Sequence, residues 1–322
     1  MSYLITGGAG YLGAHVVRAL ALAGEEVVAY DDLSTGQATR LPAGVPFVQG
    51  SVHDRALLDR TLAEHAVTTV VHLAAKKEAA ESVRQPLRYH RENLHGLHTL
   101  LEACRGARVE RFVFSSSAAV YGAPTVDLVP EDHPCRPLTP FGETKLAGEW
   151  LVRATGRAHG IATACLRTFN IAGAAVPELA DNETADLLPT TFGHLSAGEP
   201  PRIFGADYPT GDGTCERDYV HVEDVAEAHL AAARTLAERP APEHLTLNIG
   251  RGEGVSVREL VRAITEITGH GRLTPLVMPR RPGDPARVVA CPDQAAKQLA
   301  WTPARGVEEM ITSAWAGWLR NA

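Results

Sequence analysis

The chain predicts an α/β protein: a doubly wound parallel sheet (Rossmann) with a smaller C-terminal lobe built from interrupted segments. Three observations carry this. Short apolar runs alternate with amphipathic stretches through the first half. A glycine cluster, Gly7 to Gly13, joins the first apolar run to the first amphipathic one. After Phe169 the alternation gives way to stretches rich in Pro, Gly, Asp and Thr.

Tyr3–Thr6 reads as a buried strand, and Ala14–Ala23 as a helix with Val17, Leu20 and Ala21 on one face. Strands follow at Glu26–Tyr30, Val45–Val48, Thr69–Leu73, Arg111–Ser115 and Ala162–Phe169. Helical periodicity fills the gaps at Asp54–His65, Pro86–Cys104 and Thr139–His159. Such alternation implies right-handed crossovers with helices on both faces of the sheet. Later segments read as helices at Leu187–Ala197, Val220–Arg234, Val257–Thr268 and Val307–Leu319, with a strand at Thr246–Ile249. Residues 1–170 with 214–250 are expected to form the dinucleotide-binding domain, and 171–213 with 251–322 the lobe.

At 322 residues, 45% hydrophobic and 21% charged, the chain has ample apolar surface for a core. A net charge of −7 offers no basic surface for nucleic acid or an anionic membrane. The five cysteines are odd in number and form no C-x-x-C pair, as expected of reduced thiols in the cytoplasm. There is no basic leader and no 18-residue apolar run, which again points to a cytoplasmic protein without a membrane span. His95 and His98 lie on an amphipathic stretch with Leu94, Leu97 and Leu101 and lack a third ligand, so no metal is expected.

The glycine cluster follows a strand and opens a helix, in the spacing G-x-x-G-x-x-G. Gly7 allows a tight turn, Gly10 lets the backbone approach a pyrophosphate, and Gly13 lets helix and strand pack closely. Phosphates there meet free amides and the positive end of the helix dipole. Asp31 ends the second strand, where a carboxylate holds ribose hydroxyls and repels a 2′-phosphate; NAD is therefore expected over NADP. Three further segments should meet at the carboxyl ends of the strands: His72–Lys77, Ser115–Ser117, and Phe141 with Lys145, which share a helical face.

Longer motifs accompany these. They include Asp31-Asp32-Leu33-Ser34-Thr35-Gly36, Phe114-Ser115-Ser116-Ser117-Ala118-Ala119-Val120-Tyr121-Gly122, Phe169-Asn170-Ile171-Ala172-Gly173, and Ile203-Phe204-Gly205-Ala206-Asp207-Tyr208. Asp212-Gly213-Thr214-Cys215-Glu216-Arg217-Asp218-Tyr219-Val220-His221 and Arg281-Pro282-Gly283-Asp284 complete the set. Together they resemble the extended short-chain dehydrogenase/reductase family, in its UDP-glucose (UDP-galactose) 4-epimerase branch, nearly end to end.

The resemblance implies an NAD site and a UDP-sugar site. Around the pyrophosphate and adenosine it places Gly7, Gly10, Tyr11, Leu12, Gly13, Asp31, Asp32, Leu33, Ser34 and Gly36, with Ser51 and Val52 beyond. Leu73, Ala74, Ala75, Lys77, Asn93 and Ser115 would neighbour the cofactor, and Lys145 would hold the nicotinamide ribose. For the substrate, Ser117 would bond the sugar's 4-hydroxyl with Lys77 nearby, and Asn170, Arg217 and Arg281 would grip the diphosphate. Phe204 would stack near uracil, Asp284 would hold the uridine ribose, Leu188 would touch the substrate, and Val288 would set the width of the sugar pocket. A small Val288 leaves room for a 2-acetamido group, so the sugar stays open between UDP-glucose and UDP-N-acetylglucosamine types. The helices 86–104 and 139–159 resemble the pair through which family members dimerise, so a homodimer is expected.

Family members draw hydride from C4 to NAD and return it to the opposite face, while a tyrosine hydroxyl carries the proton. This chain departs from that pattern. Phe141 stands where the tyrosine belongs, Thr168 replaces a second tyrosine, and Asp186 replaces an asparagine. Ala118 and Ala119 occupy the Asp-Glu positions of related 4,6-dehydratases, which disfavours elimination. The expectation is a UDP-sugar 4-epimerase or a diverged relative. The alternatives are a catalytically impaired binder of NAD and UDP-sugar, and a related nucleotide-sugar oxidoreductase with another proton carrier.

Overall fold

The computed structural model describes residues 1–181, 186–239, 241–281 and 283–321; Pro282, within the Arg281–Asp284 motif, lies outside them. The first half runs β1 (Ser2–Thr6), α1 (Tyr11–Leu22), β2 (Glu26–Asp31), β3 (Phe47–Gln49), α2 (Arg55–Glu64) and β4 (Thr69–His72). Next come α3 (Ala79–Arg84), α4 (Pro86–Tyr89) and α5 (Gly96–Ala107), the last two joined through a π-helical stretch at His90–His95. β5 (Arg111–Ser117), α6 (Pro140–His159) and β6 (Ala162–Thr168) follow. Then come β7 (Asn170–Ala172), α7 (Leu187–Ser196), β8 (Arg202–Phe204), β9 (Glu216–His221), α8 (Val222–Glu238) and β10 (His244–Ile249). β11 (Gly254–Ser256), α9 (Val257–Ile267), β12 (Leu276–Met278), β13 (Arg287–Val288), α10 (Asp293–Leu299) and α11 (Val307–Asn321) end the chain.

Seven strands form one parallel sheet in the order β10-β6-β5-β4-β1-β2-β3. The order reverses between β1 and β4, and this switch point opens a crevice at the carboxyl ends of the strands. One apolar layer packs α1 and α8 on the sheet through Val16, Val17, Leu20, Val225 and Ala232. The opposite layer packs α2, α5 and α6 through Leu58, Leu62, Leu97, Leu100 and Val152. Both faces are covered, so the strands read as continuous apolar runs.

A second sheet, β11-β9-β13 with β7 on β9, and the pair β12-β8 build the lobe. Its own core gathers Leu188, Phe192, Leu260, Ile264, Met310 and Ile311. Here the structure departs from the sequence expectation. Val220 and His221 belong to strand β9, not to a helix; α8 starts at Val222, where His221 Nδ1 accepts the Glu223 amide at 3.1 Å. The runs β7, β8, β11 and β12 are three residues each, and β13 two, too short for a period to register.

Four histidines lie deep in this fold, and a fifth, His244, is half-buried. His15 donates from Nδ1 to the Tyr11 carbonyl and accepts the Ala175 amide at Nε2. His72 bonds Thr6 Oγ1 at 2.7 Å, and His244 bonds Thr163 Oγ1 at 2.8 Å. His229 donates to the Val225 carbonyl. Burial pushes His15, His221, His229 and His244 down to about 4, and His72 to about 3. The unfolded chain takes up these protons first, near 6.5. The neutral imidazoles therefore stabilise the fold fully above about pH 6.5, and that contribution is lost as pH falls toward about 4. Asp218, raised by burial to about 6, works in the opposite direction over a similar range, as do Asp31 and Glu131, which burial also raises, but they are three groups against five. Denaturant midpoints compared at about pH 7 and about pH 5 should show a clear loss of stability at the lower value; equal midpoints would contradict this account.

Candidate active site

The glycine loop sits in the crevice by construction. Gly7 takes φ +73°, and a Cβ there would meet the Ala74 amide nitrogen at 2.7 Å; a Cβ on Gly13 would overlap the Gly7 carbonyl. The loop is drawn onto β2 by Asp31, whose carboxylate accepts the Ala9 amide at 3.0 Å and the Leu33 amide at 2.8 Å. Burial raises the pKa of Asp31 despite these amide donors. Each carboxylate oxygen can accept a second bond, so ribose hydroxyls still find room. Bare backbone at a helix start and a carboxylate at the next strand end are the donor set that a dinucleotide needs, and these residues fit NAD.

Around this loop, Leu73 and Ala74 amides bond the Thr6 carbonyl at 3.0 Å each, and Ala75 is exposed beside them. Asp32 accepts the Ser34 amide, and Lys76, which the sequence reading passed over, reaches Ser34 Oγ at 3.2 Å. Gly36 packs on the Asp31 carboxylate. Ser51 presents its carbonyl to Tyr30, and Val52 lies against Gly96. Leu12 packs beside the core of the first layer. Tyr11 donates to the Gly173 carbonyl at 2.6 Å, while the Ala175 amide reaches His15 and the Ala174 amide reaches Ser313 of α11 at 3.1 Å. The segment after β7 is thereby tied to both units.

The strip expected to be catalytic is organised by three consecutive serines. The Ser115 carbonyl accepts Lys145 Nζ at 2.7 Å. Ser116 Oγ donates to Glu149 Oε1 at 2.5 Å. Ser117, half-buried, accepts the Ala119 amide and pairs in register with Thr168. Alternation along the strand sends the Ser116 and Ser117 side chains to opposite faces. Lys145 and Phe141 come from the first turns of α6, which Thr139 caps by accepting the Gly142 amide and Pro140 starts. Gly148 lets α6 approach β5, because a Cβ there would lie 2.8 Å from the Phe114 ring.

Lys145 is 7% exposed, with its ammonium 5.0 Å from the Phe114 ring centre and 5.9 Å from that of Phe141. Burial brings its pKa down to about 8, and the Glu149 charge opposes this. Glu149 itself is bound by Arg167 of β6, at 2.9 Å from Nε and 2.8 Å from Nη2. Arg167 also donates to Tyr121, which donates to Asn248. The sequence reading missed this buried network; one signal was present, since Glu149 follows Lys145 by one helical turn on the inward face. Thr168 is buried and donates to the Ser116 carbonyl at 3.1 Å. Asn93 is buried as well, clamping Lys76 by both backbone groups and donating to Thr144 at 3.0 Å.

Toward the lobe, Lys77 Nζ stands 3.0 Å from Asp186 Oδ2 and 3.7 Å from Asp181. Asp186 and Asp181 thus share the Lys77 ammonium. Asn170 is exposed at the start of β7, in register with Tyr219. Arg217 and Val288 are register partners in β9 and β13, and Arg217 donates to the Glu216 carbonyl. The Arg281 guanidinium lies 3.8 Å over the Phe204 ring, with exposed Asp284 joined to it by a backbone bond. Leu188 is 5% exposed and packs in the lobe core. His95 stacks between His53 and His98, and among the described residues no group of three or more metal-ligating side chains converges. Among the described residues, no helix is long and apolar enough to cross a membrane.

Comparison with known proteins agrees with this geometry. The model of the NAD dependent epimerase/dehydratase family matches residues 3–250. A UDP-glucose 4-epimerase of Azospirillum brasilense is 42% identical over 322 residues, covering 99% of this chain and 92% of that protein. One from Streptomyces lividans is 41% identical over 317 residues, covering 97% and 94%. Among solved structures, the UDP-glucose 4-epimerase of Stenotrophomonas maltophila, with bound NAD and formylated UDP-arabinopyranose, superposes with a TM-score of 0.94 at 36% identity and full coverage of both chains. That of Brucella ovis, in complex with NAD, gives 0.92 at 36% identity, covering 98% and 97%. A chain matched by the family model over most of its length, and by these relatives from end to end, belongs to the NAD dependent epimerase/dehydratase family.

Proposed function

We propose that this chain is an NAD-dependent UDP-sugar 4-epimerase of the UDP-glucose/UDP-galactose type, in which Phe141 occupies the place of the proton-relay tyrosine. The observation that carries this reading is the placement of Lys145 on the Ser115 carbonyl and beside the Phe141 ring, at the carboxyl end of β5, the strand that Ser117 closes. The names of the relatives support the same activity.

NAD, held by the glycine loop and Asp31, supplies a hydride acceptor. The protein's own part is to hold the sugar and handle the proton. Ser117 would bond the 4-hydroxyl, and Lys145 would orient the ribose beside it. Asn170, Arg217 and Arg281 would bind the diphosphate, since guanidinium forks match phosphate oxygens. Stacking of uracil on the covered face of Phe204 requires Arg281 to leave it, and a diphosphate is the charge that would draw the guanidinium away. Residues 1–170 with 214–250 would then form the NAD-binding domain, with Ser117, Asn170 and Arg217 reaching from it to the substrate and β9 pairing into the sheet of the lobe, and the remainder would serve the UDP-sugar. A cytoplasmic homodimer suits this reading: the helices α4–α5 and α6 carry exposed Leu87 and Trp150, 84% and 57% accessible.

A second reading, a binder of NAD and UDP-sugar with little turnover, is favoured by Phe141 itself. Interconversion of UDP-glucose and UDP-galactose by the purified chain separates the two. Phe141→Tyr should turn over faster than its parent; if both proteins are inactive, the epimerase reading falls. Asp31→Ala should weaken NAD binding relative to NADP, measured by cofactor fluorescence titration; an unchanged ratio would remove the ribose role of Asp31.

A further inference from the structure

The site holds few groups able to exchange a proton near neutrality. Phe141 has none. Ser117 is an aliphatic hydroxyl, and its oxygen already accepts the Ala119 amide. The Tyr11 phenol donates to Gly173 and the Tyr121 phenol to Asn248, and burial pushes both well up. His72 is turned to Thr6 and stacked on Phe114. Glu149 is taken up by Ser116 and Arg167.

Lys145 differs from all of these. Among the described residues its amine makes one hydrogen bond, to the Ser115 carbonyl. A carbonyl accepts equally from an amine and an ammonium, so this bond survives loss of a proton and leaves a lone pair free. The charges around it are Glu149 on its own helix, His72 on β4 and His229 on α8, with Arg167 of β6 covering the carboxylate. Both histidines are neutral near pH 7, and Glu149 acts on Lys145 without touching it through a hydrogen bond. A phenol at position 141 would offer an oxygen that favours the ammonium; the Phe141 ring offers only a weak cation–π attraction at 5.9 Å.

Building on the epimerase reading above, we propose that the Lys145 amine is the proton carrier of this site, replacing the missing phenol. The O–H bond of the sugar's 4-hydroxyl breaks and an N–H bond forms on Nζ. The hydrogen on C4 would leave with its electron pair to NAD, which the glycine loop and Asp31 would hold, and the electron pair left by the broken O–H bond would close the C–O bond to a carbonyl. Reversal gives hydride back to C4 and the proton back from the ammonium. Nothing else is consumed. A buried amine whose pKa burial lowers suits this role, since carriers act best when their pKa lies near the ambient pH.

The test has two arms. In the NAD-loaded protein carrying isotope-labelled lysine, NMR titration of the Lys145 Nζ should show a midpoint near 8 rather than the ordinary value of about 10.4. In the second arm, turnover should rise with pH through that midpoint. Lys145→Arg, which keeps the charge but gives up no proton, should bind NAD by fluorescence yet lose about 10²-fold or more in turnover. In Phe141→Tyr the limb near 8 should move. A midpoint above about 10, a Lys145→Arg variant as fast as its parent, or a limb unmoved in Phe141→Tyr would each overturn the proposal. So would a parent silent at every pH beside an active Phe141→Tyr, an outcome that leaves the epimerase reading standing. If Phe141→Tyr is silent too, the epimerase reading falls and the lysine's role with it.

Discussion

The buried ion pair between Glu149 and Arg167 is the contact on which the working end of this molecule depends. Both side chains are nearly sealed from solvent, at 6% and 7% accessible, and the guanidinium meets the carboxylate through two nitrogens. Burying two charges costs several kcal/mol each, and the cost is offset only where geometry is close and every remaining lone pair finds a partner. Here Ser116 supplies the third donor and Tyr121 a further acceptor. Removing one member of such a pair costs about 3–5 kcal/mol, because the other is left charged and unmatched. The pair joins α6 to β6, and its serine partner joins α6 to β5. The Lys145 amine is therefore placed by a network that lies one turn behind it.

A second set of bonds makes the glycine loop and the smaller lobe one structure. The short segment after β7 is held by Tyr11 and His15 from the helix that opens at the glycine loop, and by Ser313 from α11. His221 reaches the same Ser313 hydroxyl at 3.3 Å. Each bond is worth only about 1 kcal/mol net. Their effect is geometric: the residues expected to grip a diphosphate begin at Asn170, at the head of this clamped segment.

Phe141 and Asp186 show how neighbours give a substitution its meaning. Asp186 in isolation adds a negative charge, yet the Lys77 ammonium sits against it. Phe141 in isolation offers no group that exchanges a proton, yet its ring lies beside the buried Lys145 amine, whose hydrogen bond goes to the Ser115 carbonyl. Thr168 is a quieter case, since its hydroxyl closes a bond to the Ser116 carbonyl at the centre of the strip.

The sequence by itself determined the sheet, the order of its early elements, the glycine loop, Asp31 and the helical pairing of Phe141 with Lys145. Those features are local: apolar period, turn chemistry and one helical turn of spacing are written within a few adjacent residues. The tertiary structure alone decided that Val220 and His221 extend a strand, because β9 is defined by partners in β7, β11 and β13 that lie far away in the chain. It also decided that Arg167 would answer Glu149, Asp186 would answer Lys77, and Arg281 would cover Phe204. Charge pairing and desolvation depend on distances through space, and no spacing along the chain encodes those before the layers have packed.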